Sequence, residues 1–205
     1  MTKRYDAIKR GIDIAASAVG LIVTAPIQVG VAAAVLRYHG RPVLFRQQRP
    51  GKGGELFELL KFRTMLPETP ERKTDAERLT SLGRALRATS LDELPSLWNV
   101  LKGDMSLVGP RPLLPHYLEL YSPTQARRHE VRPGVTGLAQ VRGRNHLDWD
   151  ERFAADVEYV DSRSLALDLR ILIDTVLVVF RRSGIAAEGS ATMPEFQGSE
   201  ASWPS

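Results

Sequence analysis

Residues 14–36 form a run of 23 positions without a single charge. Lys3, Arg4, Lys9 and Arg10 precede it, and Arg37, Arg41, Arg46 and Arg49 follow it. As a straight helix the run would reach about 34 Å, enough for a hydrocarbon core of roughly 30 Å. Three readings compete: a straight transmembrane helix, a signal peptide with Ala32-Ala33-Ala34 as a cleavage-like site, and a re-entrant hairpin that enters and leaves by one face. A buried helix of a soluble domain is the plain alternative, and so long an apolar run argues against it. Pro26 sits inside the run and removes a backbone donor, so a kink is expected there. Thr24 is placed to offer its hydroxyl to the freed carbonyls. Positive charge on both flanks gives no inside–outside bias, and cytoplasmic segments are the ones that collect Lys and Arg. Both ends on the cytoplasmic side is the economical answer, so the kinked re-entrant reading is preferred.

Beyond this run the pattern shortens. His39-Gly40-Arg41-Pro42 reads as a turn. Val43-Leu44-Phe45 and residues 56–62 are strand candidates, and the Gly-rich basic loop 49–54 would join them into a hairpin. Residues 67–78 are charged, a solvated loop or short helix, and 82–87 are helical and basic. Residues 90–101 predict a helix with Leu94, Leu97, Trp98 and Leu101 on one face. A Gly/Pro-punctuated loop over 103–115, a helix over 117–129, a second Gly-rich basic stretch over 132–144 and a helix over 149–160 follow. Residues 165–180 are strongly apolar but carry Asp168, Arg170 and Asp174. They suit an interfacial helix lying on a membrane or, equally, a plain core helix. The tail after Gly184 is small and polar and reads as loosely held, and no internal repeat occurs.

Composition narrows the picture a little. The 205 residues suffice for one domain with small appendages, and 43% hydrophobic content predicts a folded chain. The 28 Lys and Arg against 24 Asp and Glu give a mild basic excess that suits phosphates, nucleotides, nucleic acid or anionic lipid. With no cysteine there is no disulfide, thiolate metal site or cysteine nucleophile. The four histidines lack ligand spacing, which argues against a zinc site. No P-loop or Gly-x-Gly-x-x-Gly occurs.

The candidate chemistry centres on Asp92 and Glu93 in Ser90-Leu91-Asp92-Glu93-Leu94-Pro95. The pattern alone favours a structural role, because Ser90-x-x-Glu93 matches a capping box. Pro95 suggests a late helix start, with Asp92 itself as an alternative cap. The same geometry serves chemistry. A carboxylate at a helix N-terminus stays ionised, free amides there hold phosphate, and a neighbouring carboxylate can hold Mg²⁺. An aspartate nucleophile facing a metal-bound diphosphate would then form an acyl phosphate. Lys61 and Arg63 end a strand candidate, Arg84 and Arg87 precede the carboxylate pair, and Arg111, Arg132, Arg142 and Arg144 sit in Gly/Pro loops, all where phosphate handling would need them. Taken singly, each is more simply a solvated surface charge. Asp148-Trp149-Asp150 has the Asp-x-Asp form of some glycosyltransferases, but Asp148 is better read as the cap of the helix that follows.

Longer strings carry the reading further. Lys9-Arg10-x-x-Asp13, Pro42-Val43-Leu44-Phe45-Arg46-Gln47, Lys61-Phe62-Arg63-Thr64-Met65, the Asp92-Glu93 string, Leu97-Trp98-Asn99-Val100-Leu101-Lys102-Gly103-Asp104-Met105-Ser106, Val108-Gly109-Pro110-Arg111-Pro112 and Arg132-Pro133-Gly134-Val135-Thr136-Gly137 span nearly the whole chain. Through them the chain strongly resembles the monotopic phosphoglycosyl transferases, also called bacterial sugar transferases, and its ending looks like their small single-domain members.

The resemblance implies an α/β fold, mostly α with a short β-hairpin, in a monotopic membrane protein with a kinked re-entrant helix and interfacial amphipathic helices. Residues 1–38 would be the membrane helix, 39–186 the catalytic domain and 187–205 a C-terminal tail. It implies transfer of a sugar phosphate from a UDP-sugar to undecaprenyl phosphate, with release of UMP, at the first membrane step of bacterial glycoconjugate assembly. Asp92 would be the nucleophile of a ping-pong reaction. Glu93, with Asp92, would hold Mg²⁺. Lys61, Arg63, Arg87, Arg111 and Arg144 would bind phosphate or nucleotide. The implied place is the cytoplasmic face of the bacterial inner membrane. Membrane lipid and downstream glycosyltransferases would be partners, and nucleic acid would not. One departure stands out: relatives often carry Ser-Pro at the helix break, and here it is Ala25-Pro26. Thr24 is the substitute hydroxyl.

Three rivals make different demands. A glycosyltransferase using Asp148 and Asp150 would release UDP. A basic membrane adaptor would not need Asp92, and its binding would fall steeply with salt. A cleaved, secreted protein would begin after Ala34.

Overall fold

The computed structural model describes residues 2–143, 147–181 and 195–198. The apolar run lies inside one long helix, α1 (Thr2–His39), whose summed rise is about 57 Å. Pro26 sits within it. The Thr24 hydroxyl donates to the Gly20 carbonyl at 2.6 Å and accepts from Gln28 Nε2 at 2.9 Å. This is ordinary bonding one turn back. It does not serve Ile22, whose carbonyl loses its donor to the proline.

One stripe of α1 is polar at its ends and lies along the body of the protein. Tyr5 and Lys9 reach Asp168 at 2.8 Å each. Arg10 donates to the carbonyls of Val100 and Leu101, and buried Asp13 accepts from the Leu107 amide. Further along, Val31 and Val35 pack with Phe62 and Leu86, and His39 bonds Thr80. The opposite stripe, with Val19, Ile22, Val23, Ile27 and Val29, is exposed. Among the described residues α1 is the single helix long and apolar enough to cross a membrane.

After α1 the expected hairpin forms. β1 (Leu44–Pro50) and β2 (Leu56–Phe62) pair antiparallel from Leu44–Phe62 to Pro50–Leu56. β1 runs further than its short apolar signal, because Arg46 to Arg49 fill a half-solvated strand with polar side chains. The tip is a 3-10 turn, Lys52–Gly54, with Gly53 at φ 68°. Two short helices follow, α2 (Asp75–Arg78) and α3 (Ser81–Ala88), each capped by a threonine hydroxyl.

The expected helix over 90–101 divides into a 3-10 turn, Leu91–Glu93, and α4 (Ser96–Lys102). Its buried face is also different: Ser96, Asn99 and Val100 are buried, while Trp98 is 53% exposed. The polar pair wins because it has partners on β2. A parallel contact between β3 (Ser106–Val108) and β4 (Gly134–Thr136) was beyond the hydrophobic pattern, three residues being too few for a period.

The helix expected over 117–129 is broken at Pro123. A 3-10 turn, Pro115–Glu119, precedes α5 (Pro123–Ala126), which restarts on a Ser122–Gln125 capping box, and a second 3-10 turn, Arg127–Glu130, follows. α6 (Leu138–Arg142), α7 (Trp149–Ser162) and α8 (Leu165–Arg181) are the remaining helices among the described residues. Asp148 caps α7 with a full capping box, as its position suggests.

α8 buries Asp168 and Ile171 and leaves Leu165, Leu169, Ile173, Val176 and Leu177 exposed. A plain core helix would cover that apolar row; an interfacial helix exposes it. Residues 195–198 are held more firmly than a loose tail. Phe196 is buried among Tyr117, Tyr121, Trp149 and Phe153, and its amide donates to the Tyr117 hydroxyl at 3.1 Å.

Candidate active site

Asp92 and Glu93 stand in the 3-10 turn between α3 and α4, and the backbone before them is special. Ser90 takes φ 55°, ψ 17°, left-handed values that non-glycine residues rarely adopt. Its side chain makes no cap. The capping box is therefore absent, and Glu93 is released for other partners.

Two hydrogen-bonded side chains seat the turn against the sheet. Ser96 Oγ donates to the Leu60 carbonyl at 2.8 Å. Asn99 Nδ2 donates to the Glu58 carbonyl at 2.8 Å, and its Oδ1 accepts from the Leu60 amide at 3.1 Å. These contacts set α4 beside β2 and bring Lys61 to Glu93. Neither residue stood out as functional. The sign in the sequence was polar residues spaced by three just behind the carboxylates.

Glu93 is the hub. Lys61 Nζ reaches its Oε1 at 2.6 Å, and Arg111 Nη2 reaches the same oxygen at 2.7 Å. Burial pushes the Glu93 carboxyl up, but Arg111 and Lys61 outweigh burial and hold it well below the usual carboxylate range. Lys61 is lowered by burial, with Glu93 opposing. Arg111 is raised by Glu93.

Asp92 is 7% exposed, and its carboxylate accepts no hydrogen bond from any described residue. Burial and the neighbouring Glu93 charge push it above the usual 3.8, while Lys61, Arg111 and Arg87 pull it back. The two adjacent carboxylates thus have opposite environments. One is neutralised by cations; the other is desolvated and accepts no hydrogen bond from a described residue.

The remaining expected cations separate. Arg87 lends charge to Asp92 while its Nε donates to Thr64 Oγ1 at 3.0 Å. Arg63 closes the end of α1 instead, bonding the carbonyls of His39, Gly40 and Arg41. Arg144 lies outside the described residues. Arg49, read as part of a loop, instead lies on β1 against Pro112. Burial and the Arg111 charge lower it to about 10.

Among the described residues no group of three or more His, Cys, Asp or Glu forms a metal cage. The adjacent Asp92 and Glu93 carboxylates are oxygen donors of the kind Mg²⁺ takes, and that ion needs no full protein cage because it keeps several of its waters.

A buried carboxylate that accepts no hydrogen bond from a described residue thus stands beside a cation-neutralised partner, on a body docked along an apolar helix. Comparison with known proteins makes the class specific. The model of the family described as bacterial sugar transferase matches residues 4–182. An uncharacterized sugar transferase EpsL of Bacillus subtilis (strain 168) is 49% identical over 195 residues, covering 94% of this chain and 96% of that protein. A UDP-glucose:undecaprenyl-phosphate glucose-1-phosphate transferase of Caulobacter vibrioides is 45% identical over 184 residues, 83% of this chain and 69% of the relative. An undecaprenyl-phosphate galactose phosphotransferase of Salmonella typhimurium is 40% identical, and the match spans 86% of this chain but 41% of that longer protein. The chain belongs to the bacterial sugar transferase family, and it is an enzyme.

Proposed function

We propose that the protein transfers a sugar 1-phosphate from a UDP-sugar to undecaprenyl phosphate by way of a phospho-aspartate at Asp92. The observation that carries this reading is the unbonded, desolvated Asp92 carboxylate beside a Glu93 already neutralised by Lys61 and Arg111. The named activities of the Caulobacter and Salmonella relatives support the donor and acceptor.

An Asp92 oxygen attacks the phosphorus bound to the sugar. The bond to the bridging oxygen of the diphosphate breaks, and UMP leaves with the electron pair. An oxygen of undecaprenyl phosphate then attacks the acyl phosphate, restores the carboxylate and leaves as the diphosphate-linked sugar. Burial weakens hydration of the nucleophile, and Lys61, Arg87 and Arg111 supply charge where phosphate oxygens gather. Glu93 and Asp92 would hold Mg²⁺, which supplies charge neutralisation for the diphosphate.

The membrane arrangement follows from α1. Its N-terminal turns and its C-terminal turn both dock on the same body, so a perpendicular crossing would drag that body through the bilayer. In this reading the helix enters and leaves by one face, with Pro26 as the place where it bends, and the exposed apolar row of α8 is offered to the same interface. On this reading Asp92 would lie where a soluble and a lipid substrate meet, and we assign it to the cytoplasmic face of the inner membrane, at the initiating step of a glycoconjugate.

Nucleotide release tests the reading. The detergent-solubilised protein with undecaprenyl phosphate, Mg²⁺ and a panel of UDP-sugars should release UMP, and Asp92→Asn should not. UDP as the product would overturn the mechanism.

A further inference from the structure

The segment Pro110-Arg111-Pro112 has one backbone N–H in three residues, so a strand ladder cannot hold it. Its carbonyls are gripped instead. Pro110 accepts from the Gly134 amide at 2.9 Å, Arg111 from Arg128 Nη2 at 2.7 Å, and Pro112 from Arg49 Nη1 at 3.4 Å.

Arg128 is the unusual member of this set. Its side chain is 2% exposed, as is that of Asp156, its partner on α7. Asp156 Oδ2 accepts from Arg128 Nε at 3.0 Å and from Nη2 at 2.7 Å. Arg128 Nη1 donates to the Tyr121 hydroxyl at 3.1 Å, and the guanidinium lies over the Tyr121 and Phe153 rings at 5.7 and 5.5 Å. All three guanidinium nitrogens are therefore spoken for, and among the described residues the backbone group they reach is the carbonyl of Arg111.

A buried ion pair is seldom the most stable way to fill such space, since well-packed apolar residues often match or exceed it. What the pair provides is direction. Its guanidinium is fixed on one edge by Asp156 and packs beside the adjoining Tyr121 and Phe153 rings, and one nitrogen serves both Asp156 and Arg111. From that anchored carbonyl the Arg111 side chain extends to Glu93 Oε1.

We propose that Arg128, locked by Asp156, is a positioning residue for Arg111 and so sets how the Arg111 guanidinium meets Glu93 and an incoming phosphate. This rests on the transfer reading above for its catalytic consequence. Its structural consequence, an ordered 109–113 segment, stands apart from that reading.

The test is a double-mutant cycle in the UMP-release assay, with thermal unfolding run on each protein. Arg128→Lys keeps the charge beside Asp156 but cannot bond both partners. It should lower kcat/KM roughly tenfold in the wild-type background and less than about twofold when Arg111→Lys is already present. Its change in melting temperature should be the same in both backgrounds. A tenfold loss that persists in the Arg111→Lys protein would mean that Arg128 acts on the fold generally, and the proposal would fall. Asp156→Glu, which displaces the pair without breaking it, should repeat the pattern and serves if Arg128→Lys does not fold.

Hydrogen exchange of the peptide covering 109–113 separates the two ideas. Faster exchange in Arg128→Lys, confined to that peptide, is expected whatever the reaction is. Unchanged exchange would overturn the positioning role even with Asp92 confirmed as nucleophile. Full activity of Asp92→Asn would overturn the transfer reading and leave the exchange result to decide this one.

Discussion

Lys61 and Glu93 meet at 2.6 Å across 32 positions of sequence, tying strand β2 to the turn that carries Asp92. The bond is shared, because Arg111 occupies the same carboxylate oxygen. Glu93→Gln removes the charge but not the shape, and it leaves two cations facing each other. We expect kcat/KM to fall by roughly a hundredfold or more, in line with losing a preorganised charge at a reacting phosphate. Stability should fall too, by less than the about 3–5 kcal/mol of a fully buried pair. Arg111 is 38% exposed and partly screened by water. UMP release and a urea titration of the same preparations measure the two effects.

Asp92 should behave in the opposite way. Its folded-state pKa is raised above the usual 3.8, so the folded protein binds its proton more tightly than the unfolded chain does. Such a group favours folding when protonated, and that contribution is lost as pH rises from 3.8 through the raised value. Above this window the ionised carboxylate is a net burden. Asp92→Asn, which never ionises, should melt higher than wild type at pH 7, by about 2–4 °C for each kcal/mol recovered. The gap should close near pH 4. The same variant should release no UMP. A lower melting temperature at pH 7 would contradict the desolvated environment assigned to Asp92.

How much of this was legible in the sequence depends on what kind of force does the work. The apolar run, the hairpin and α7 with its Asp148 cap follow from local rules of period and capping, and they stand in the structure. The division of 90–101 does not follow, because Ser96 and Asn99 find their partners on β2, some 36 to 41 positions away. At the site, the structure brings Asp92, Glu93, Lys61 and Arg111 together, residues that local periodicity could not have grouped. Arg63 shows the limit of charge counting, since an arginine looks the same in the sequence whether it awaits a phosphate or closes α1. Arg128 and Asp156 gave no local signal at all, their pairing being a product of tertiary packing.

Two glycines make a sharp comparison. Gly134 lies so close to the chain carrying Arg111 that a Cβ there would sit 2.1 Å from the Gly109 amide nitrogen and 2.3 Å from the Thr136 carbonyl oxygen. Backbone atoms of a paired strand cannot yield cheaply. Gly134→Ala should destabilise by about 2 kcal/mol or more and lose activity with it. Gly11, inside α1, has nothing within 4 Å of its would-be Cβ. Gly11→Ala should raise stability by about 0.5–1 kcal/mol, the usual gain of alanine over glycine in a helix. Thermal unfolding of both variants in one detergent decides the matter. Equal effects would mean that the close approach at Gly134 is not real.

Ser90 offers a test of why the site does not follow its own sequence pattern. If Ser90 capped a helix with Glu93, replacing it with alanine would cost about 0.5–2 kcal/mol, and glycine would be slightly unfavourable. In the structure Ser90 instead holds a left-handed backbone at φ 55° with no cap bond. That conformation costs a non-glycine residue roughly 1–2 kcal/mol, and glycine avoids it. Ser90→Gly should therefore raise the melting temperature and retain UMP release, because Asp92 and Glu93 keep their turn. Ser90→Val should lower both, since a β-branched residue fits the left-handed region worst. The pair separates the two roles by sign. A Ser90→Gly protein that melts lower than wild type would restore the capping box and withdraw Glu93 from Lys61 and Arg111.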